Sequence, residues 1–552
     1  MFSLLLKYTV AFLLSRSSGI VALNNGLART PPLGFNGYNP FSCEGTETTN
    51  KAAAQSLISL GLAEVGYNRL NLDCGWQAIN RNPNGTFAWN TTRYPSGIPS
   101  LANFVHRLGL EFGLYSDAGF FACDDVGGTA HFIGSLGFEQ SDAETFASWG
   151  ADYLKYDNCY AVSPTDFVDS DPPIDLEVSS ARTAHIPHYT AMSNALANVD
   201  RPIVFSICEW GDPARWAPSI GNSYRIANDI GPPPSWDNLF RIINQVVPIT
   251  GFAGPGAWND LDLLEVGNTG LTVDEQKTHF ALWAAAKSPL LISTNLTNVS
   301  TTTLNILKNK NILAVNQDPL GKSIGFMRRY ANDHDVWAGP LSDGSTIVIV
   351  INMQTSARNL TFNLADAGFT SATVTDLWTG VSLGKLANSY TASVAAHGSF
   401  VFKFSNGVRA PVPSFTFYPA SSPSTVLAGG AATRVVNTTA TVVGFIGESG
   451  TLTFQNVSGG TAGGLKLVSI DYINADVTFD NTACSNCRNA FISVNGGTAV
   501  QVQFPLSGQS WDILYSGYLV KLAGFKSGDV NMVEFSNPTA FAPDMLRIGV
   551  AK

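Results

Sequence analysis

Charge is scarce in this chain: only 13% of its 552 residues are Asp, Glu, Lys or Arg. Its 32 cations and 42 carboxylates leave a formal net charge of −10. No basic run occurs anywhere, which removes the electrostatic footprint that a nucleic-acid partner requires. Past the N-terminus no stretch reaches 18 uninterrupted apolar residues, so no membrane-spanning helix is expected. Cys484-Ser-Asn-Cys487 has no second ligand pair, and a small disulfide-closed loop is favoured there over zinc. No internal repeat joins one part of the chain to another. What is plentiful is glycine (51) and aromatic side chains (11%), a composition suited to strand-rich architecture and an uncharged substrate.

The N-terminus reads as a targeting segment. Met1 to Lys7 is a short n-region, Tyr8 to Leu14 is apolar, and Ser15 to Ala22 is rich in small residues, with cleavage expected before Leu23. A retained signal anchor is the alternative, and the short apolar run argues against it. Seven N-x-Ser/Thr sequons fit a secreted protein: Asn84, Asn90, Asn295, Asn298, Asn359, Asn437 and Asn456. Seven cysteines are an odd set, for which three disulfides and one free thiol are the simplest outcome in an oxidising compartment.

A chain of this length needs two to four domains. From Leu23 to about Leu320, apolar strand-like runs end at Asn36, Cys74, Asp117, Asp157, Cys208, Asp229, Asp262 and Ser293. Helix-like stretches lie between them: Thr48 to Leu62, Leu101 to Leu108, Asp142 to Trp149, His188 to Ala197, Trp236 to Val246 and Glu275 to Ser288. Eight βα repeats in about 300 residues indicate a (β/α)8 TIM barrel over 23–322. Short alternating strands separated by Gly and Asn turns predict a small antiparallel β domain over 323–406. A proline-containing linker leads to 414–552, whose strands alternate cleanly enough for a β-sandwich.

Asp152-Tyr-Leu-Lys-Tyr-Asp-Asn-Cys-Tyr160 reads as a buried strand ending in an ionisable pair, with Lys155 and Asp157 on one face. Ser223-Tyr-Arg-Ile-Ala-Asn-Asp229 supplies a second carboxylate, four residues after Arg225. Two carboxylates at nearby barrel strand ends fit a retaining glycosidase, whose nucleophile and acid/base stand roughly 5–5.5 Å apart. Lys155 is expected to keep Asp157 ionised. Asp229, facing it across a desolvated pocket, is expected to be pushed towards its protonated form. Structural ion pairs are the competing reading at both strand ends.

The first of these segments resembles the nucleophile motif of the α-galactosidases of glycoside hydrolase family 27. Further similar motifs follow in order: Thr30-Pro-Pro-Leu-Gly34, Phe112-Gly-Leu-Tyr-Ser-Asp-Ala-Gly119, Ser206-Ile-Cys-Glu-Trp-Gly211 and Arg225-Ile-Ala-Asn-Asp229. Gly254-Pro-Gly-Ala-Trp-Asn-Asp260, Leu264-Glu-Val-Gly-Asn268, Lys287-Ser-Pro-Leu-Leu291 and Val315-Asn-Gln-Asp-Pro-Leu-Gly321 complete the set. The resemblance implies Asp157 as nucleophile and Asp229 as acid/base. It implies sugar contacts at Asp73, Tyr115, Lys155, Glu209, Trp210 and Arg225. Charged groups would hold the axial 4-hydroxyl and its neighbours, and aromatic faces would take the C–H side of the ring. Glu209 followed by bulky Trp210 leaves little room for a 2-acetamido group. The resemblance also pairs Cys123 with Cys159 and Cys43 with Cys74, and leaves Cys208 as a buried thiol.

Two departures bear on the sugar. Most members of the family have two adjacent aspartates followed by cysteine, whereas here Asp73 is followed by Cys74 and Gly75. Phe35 stands where the family has a sugar-facing tryptophan. Both Cys74 and Phe35 are thus candidate substrate contacts. The missing carboxylate removes a pair of hydrogen bonds to the sugar's 4- or 6-hydroxyl and leaves the site shape around the exocyclic hydroxymethyl open. β-L-Arabinopyranose, galactose without that group, is therefore the second candidate sugar. The pattern resembles that of secreted members with a similar Asp-Cys-Gly-Trp motif and an extra β-domain. Residues 414–552 resemble a family-35-type carbohydrate-binding module, through segments such as Lys466-Leu-Val-Ser-Ile-Asp-Tyr-Ile-Asn474 and Phe491-Ile-Ser-Val-Asn-Gly496. Many such modules bind calcium and a sugar; a scaffold without a live sugar site is the alternative.

Together these readings imply a secreted enzyme that releases terminal α-D-galactose from galacto-oligosaccharides and galactomannans through a covalent glycosyl-enzyme. Its partners are galactose- or L-arabinose-containing saccharides, with no nucleic acid, no membrane, and no metal or cofactor in the chemistry. A non-catalytic sugar-binding protein is the reading from a different class.

Overall fold

The computed structural model describes residues 22–126, 128, 130–164, 186–211, 213–231, 233–330, 333–436, 440–478 and 485–552. The signal segment, Asn437 and Cys484 lie outside the described residues, apart from Ala22 at the end of the first.

Eight parallel strands form the N-terminal part: β1 (Leu33–Asn36), β2 (Arg69–Asn71), β3 (Glu111–Asp117), then, after a hairpin of β4 (Phe121–Val126) and β5 (Ala130–Ile133), β6 (Tyr153–Asp157), β7 (Val204–Ile207), β8 (Ser223–Arg225), β9 (Trp258–Asp260) and β10 (Leu290–Ile292). Their order is β10-β1-β2-β3-β6-β7-β8-β9, and a parallel bridge from Leu264 to Ile292 closes the ring beyond β9. Strands such as Leu33-Gly-Phe-Asn36 and Val204-Phe-Ser-Ile207 are buried along their whole length, as expected of a sheet covered on one face and packed solid inside. The helices are α1 (Tyr38–Phe41), α2 (Glu47–Ser59), α3 (Ile98–Arg107), α4 (Glu139–Trp149), α5 (Ile186–Ala197), α6 (Trp236–Val246), α7 (Val273–Ala285), α8 (Thr301–Leu307) and α9 (Lys310–Asn316). Their starts are written in the sequence. Thr272 accepts from the Glu275 amide at 3.2 Å while Glu275 accepts from the Thr272 amide at 2.8 Å, a reciprocal capping box opening α7.

Strands between Gly325 and Arg409 make a six-stranded antiparallel sheet and a separate two-stranded ribbon. This unit rests on α6 and α7, where His397 stacks on Trp236 at 4.3 Å and its carbonyl accepts from Thr278 at 2.9 Å. From Phe415 onward two antiparallel sheets of six and five strands form a β-sandwich.

The sandwich is bonded to the barrel at several points. Asn244 of α6 donates to the Ser485 carbonyl at 2.7 Å, Asn486 donates to the Arg241 carbonyl at 3.1 Å, and Gln509 donates to the Gly211 carbonyl at 2.7 Å. Arg329 binds this junction from the middle unit, paired in a fork with Asp335 at 2.6 and 2.7 Å and donating to Asn244 at 2.8 Å. Fully buried, such a pair holds two elements in one arrangement, and removing either partner strands a charge. Phe326 stacks on Tyr518 at 6.0 Å, so apolar packing continues from the middle unit into the sandwich.

No helix among the described residues is long and apolar enough to cross a membrane. Five of the sequon asparagines, Asn84, Asn295, Asn298, Asn359 and Asn456, are exposed. Asn90 is half-buried and caps its own turn by accepting from the Thr92 and Arg93 amides.

Candidate active site

The C-terminal ends of the barrel strands converge on one cavity of about 200 Å³, below the roughly 300–1,000 Å³ of a drug-sized site and suited to a single pyranose. Asp157, Asp229, Asp73, Lys155, Arg225, Tyr115 and Trp210 all line it. Seven of the ten sequence-predicted catalytic and substrate residues are therefore brought together, from strand ends that are up to 156 positions apart in the chain.

Lys155 is the hub of the inner wall. It projects from the middle of β6 and donates to Asp73 at 2.9 Å, while its nitrogen stands 3.9 Å from Asp157. Tyr115 and Tyr38 present ring faces to it at 5.2 and 5.7 Å. Asp73, two residues past β2, also accepts from Asn36 at 2.8 Å. Four polar groups from three strands thus fix one another before any ligand arrives.

Arg225 organises the opposite wall. Its guanidinium bonds Asp229 at 2.6 Å and the buried Asp262 at 2.8 Å, and donates to the Ala227 carbonyl at 3.1 Å. From behind, Arg241 of α6 donates to the carbonyls of Asn228 and Asp229 at 3.2 and 2.9 Å. The Asp229 side chain is 61% exposed, open to the cavity, whereas Asp157 is buried.

These surroundings reverse the expected ionisation. Burial pushes Asp157 up to about 6; Lys155 opposes the rise, and Asp229 adds to it. Lys155 does too little because Asp73 already engages it at closer range. For Asp229, burial also works upward, but Arg225 and Lys155 outweigh it and hold the carboxyl below its ordinary value. Burial thus favours the protonated form of Asp157, while Arg225 and Lys155 favour the ionised form of Asp229.

Three predicted contacts lie off the cavity wall. Phe35 is fully buried, its ring 6.1 Å from Phe41, because its register with Leu70 puts it on the face of β1 opposite Asn36, the residue that reaches Asp73. Glu209 is buried and accepts from the Gly211 amide at 3.0 Å, shaping the loop that carries Trp210. Cys74 is tied to Cys43 and is buried, so its sulfur is held behind the wall. Gly75 has φ of +86°, and a Cβ there would stand 1.9 Å from the Cys43 carbonyl oxygen, so only glycine fits.

A second disulfide joins Cys123 of β4 to Cys159, pinning the β4–β5 hairpin beside the end of β6. Cys208 is free and buried, and burial raises its thiol well above the ordinary range, as for an inert core cysteine. Cys487 is disulfide-bonded, and its expected partner Cys484 lies outside the described residues. The two groupings of cysteine and carboxylate near the site, Cys43/Cys74/Asp124 and Asp117/Cys123/Cys159, each contain a disulfide, whose sulfurs are not thiolate ligands.

Tyr38, Asn39, Asp124 and Asp262 also line the cavity, and the sequence reading did not single them out. Asp262 had been marked only as a strand end. A wider cavity of about 570 Å³ shares Asn39 with the first and is walled by Pro233, Pro234, Asn268 and Thr294, with no charged side chain.

Comparison with known proteins agrees with this geometry. The family model described as Alpha galactosidase A matches residues 38–318, and that described as Alpha galactosidase C-terminal beta sandwich domain matches residues 331–404. A probable α-galactosidase D of Aspergillus fumigatus is 38% identical, the match covering 93% of each chain. The crystal structure of α-galactosidase I from Mortierella vinacea superposes with a TM-score of 0.63 at 35% identity, covering 70% of this chain and all of that one. An α-galactosidase from Saccharomyces cerevisiae with raffinose superposes at 0.60 and 28% identity, covering 69% and 98%.

Proposed function

The chain belongs to the α-galactosidase A family of glycoside hydrolases, and from that premise we propose that it removes terminal, non-reducing α-D-galactosyl residues from galacto-oligosaccharides and galactomannans. The observation that carries this reading is the pair Asp157 and Asp229 on one pyranose-sized cavity whose other walls are held by Lys155, Asp73 and Arg225. The uncharged cavity beyond Asn39 offers room for the neutral sugar that is left behind.

The reaction is a double displacement. Asp157 attacks the anomeric carbon as the glycosidic bond breaks, and Asp229 gives a proton to the departing oxygen. Water then enters, Asp229 takes its proton, and the ester to Asp157 is cleaved with retention. Binding must first move the proton between the two carboxyls. A sugar and its aglycone displace water from around the open Asp229, which raises it, while sugar hydroxyls donating towards the floor stabilise ionised Asp157. The proton count of the pair is unchanged by the transfer.

That count sets the pH dependence. The productive free enzyme carries one proton on the pair; it is lost as pH rises through about 6, the Asp157 value, and the second is gained only below the ordinary carboxylate range. Activity measured as kcat/KM is expected to be highest in weak acid and to fall above about pH 6. A profile flat from pH 5 to 8 would contradict the assignment.

The chain is further proposed to be secreted after loss of residues 1–22, with units at 23–322, 323–406 and 414–552. The bonds from Ser485, Asn486 and Gln509 to the barrel favour a bracing role for the last unit over that of a detached sugar binder. The test of the main reading is a side-by-side assay of an aryl α-D-galactoside and an aryl β-L-arabinopyranoside. The galactoside is expected to have the higher kcat/KM. Faster turnover of the pentoside would assign the site to β-L-arabinopyranose, the reading that the loss of a carboxylate at Cys74 favours. Turnover of neither would leave a sugar-binding protein.

A further inference from the structure

The β4–β5 hairpin brings a carboxylate into the cavity that the catalytic scheme does not use. Asp124 follows Cys123, whose disulfide fastens it beside the end of β6, two residues past Asp157. Its Oδ2 lies 3.2 Å from Sγ of Cys74, the residue after Asp73 and just beyond β2. Cys74 is in a disulfide and has no S–H to donate. Among the described residues Asp124 therefore has no N–H or O–H partner, although it is half-buried on a cavity wall. Burial and the nearby Asp73 carboxylate push it up to about 6, and Lys155 is the cation that draws it down. A carboxylate kept in such company without a donor is poised for one supplied by a ligand.

We propose that Asp124 is a specificity-determining residue that accepts a hydrogen bond from the 6-hydroxyl of the galactosyl ring, an assignment that rests on the α-galactosidase reading above. In galactopyranose the axial 4-hydroxyl and the hydroxymethyl on C5 lie on the same face of the ring. With Asp73 and Lys155 on the 4-hydroxyl, the next stretch of wall, which Asp124 lines in front of Cys74, faces the hydroxymethyl. The hairpin thereby supplies from β4 the acceptor that the residue after Asp73 does not. Two disulfides, one on each side of Asp124, fix its position without any hydrogen bond to its carboxylate.

The test compares three aryl glycosides on wild type, Asp124→Asn and Asp124→Ala: the α-D-galactoside, its 6-deoxy analogue the α-D-fucoside, and the β-L-arabinopyranoside, which lacks the hydroxymethyl altogether. Loss of a hydrogen bond to a charged acceptor predicts about a ten- to hundredfold fall in kcat/KM on the galactoside for Asp124→Ala, with the other two sugars changed less than about threefold. The ratio between sugars, read within one preparation, is independent of how much of a variant folds. An equal fall on all three sugars, or no change in the ratio, overturns the assignment while leaving the α-galactosidase reading intact. A wild type that turns over none of them overturns both.

Discussion

Asp157→Asn is expected to lower kcat on an aryl α-galactoside by at least about a thousandfold, some 4 kcal/mol of barrier at 1.36 kcal/mol per tenfold. An amide of the same shape cannot form the glycosyl ester. The fold should tolerate the change. Asp157 accepts from the Asn158 amide at 3.2 Å, a bond an asparagine oxygen also accepts, and its site already favours the uncharged form. An unfolding midpoint within a few degrees of wild type would confirm that chemistry, not folding, is lost. A complementary measurement uses Asp157→Gly with added azide. The anion enters the vacated space, attacks the anomeric carbon as the aglycone leaves, and should give the β-galactosyl azide, of inverted configuration. Activity of Asp157→Asn within a few-fold of wild type would remove this residue from the nucleophile role.

The second large effect belongs to Asp229 and depends on the leaving group. Asp229→Asn should cost about a hundred- to ten-thousandfold on a substrate whose aglycone is another sugar, because its alkoxide cannot depart unprotonated. A nitrophenolate leaves without help, so the first step on a nitrophenyl galactoside should be nearly preserved. The second step, which needs Asp229 to activate water, should then become limiting, and a burst of nitrophenolate should precede slow turnover. Stability should change little, since Asp229 is largely exposed and Arg225 keeps its buried partner Asp262. Equal losses on both substrate types, with no burst, would point to a general structural role instead.

Much of the architecture was legible because hydrophobic periodicity and caps are local. Helix α6 occupies the predicted Trp236–Val246, and β6 ends at Asp157 as read. Strand ends drifted where the chain bends soon after its last ladder bond: β8 stops at Arg225, four residues before Asp229, and β2 stops at Asn71 rather than Cys74, which lies in a turn. The β4–β5 hairpin left no periodic trace. Its strands are short and half-exposed, and a disulfide to a distant strand end positions it. Asp124 was hidden for that reason. The ionisation of the catalytic pair was misjudged from spacing alone. One residue separates Lys155 from Asp157 along β6, but Asp73, which claims the ammonium, comes from just beyond another strand, 82 positions earlier. Phe35 was read as sugar-facing by its position in a motif, and its side chain instead packs on Phe41, on the face of β1 opposite Asn36 and the cavity.

The bonds that join the sandwich to α6 and to the Gly211 loop have a consequence for how the molecule is made. A ribosome adds roughly 5–20 residues per second, so the strands and helices of the barrel emerge well before the segments that complete them. The Gly211 carbonyl beside Trp210 waits for Gln509, and the helix bearing Arg241, whose guanidinium holds the Asp229 backbone, waits for Asn486. The nascent barrel exposes unpaired polar groups at this seam until nearly the last tenth of translation. The final domain therefore belongs to the maturation of the hydrolytic centre, and a polypeptide released early carries both carboxylates with their supporting shell unfinished.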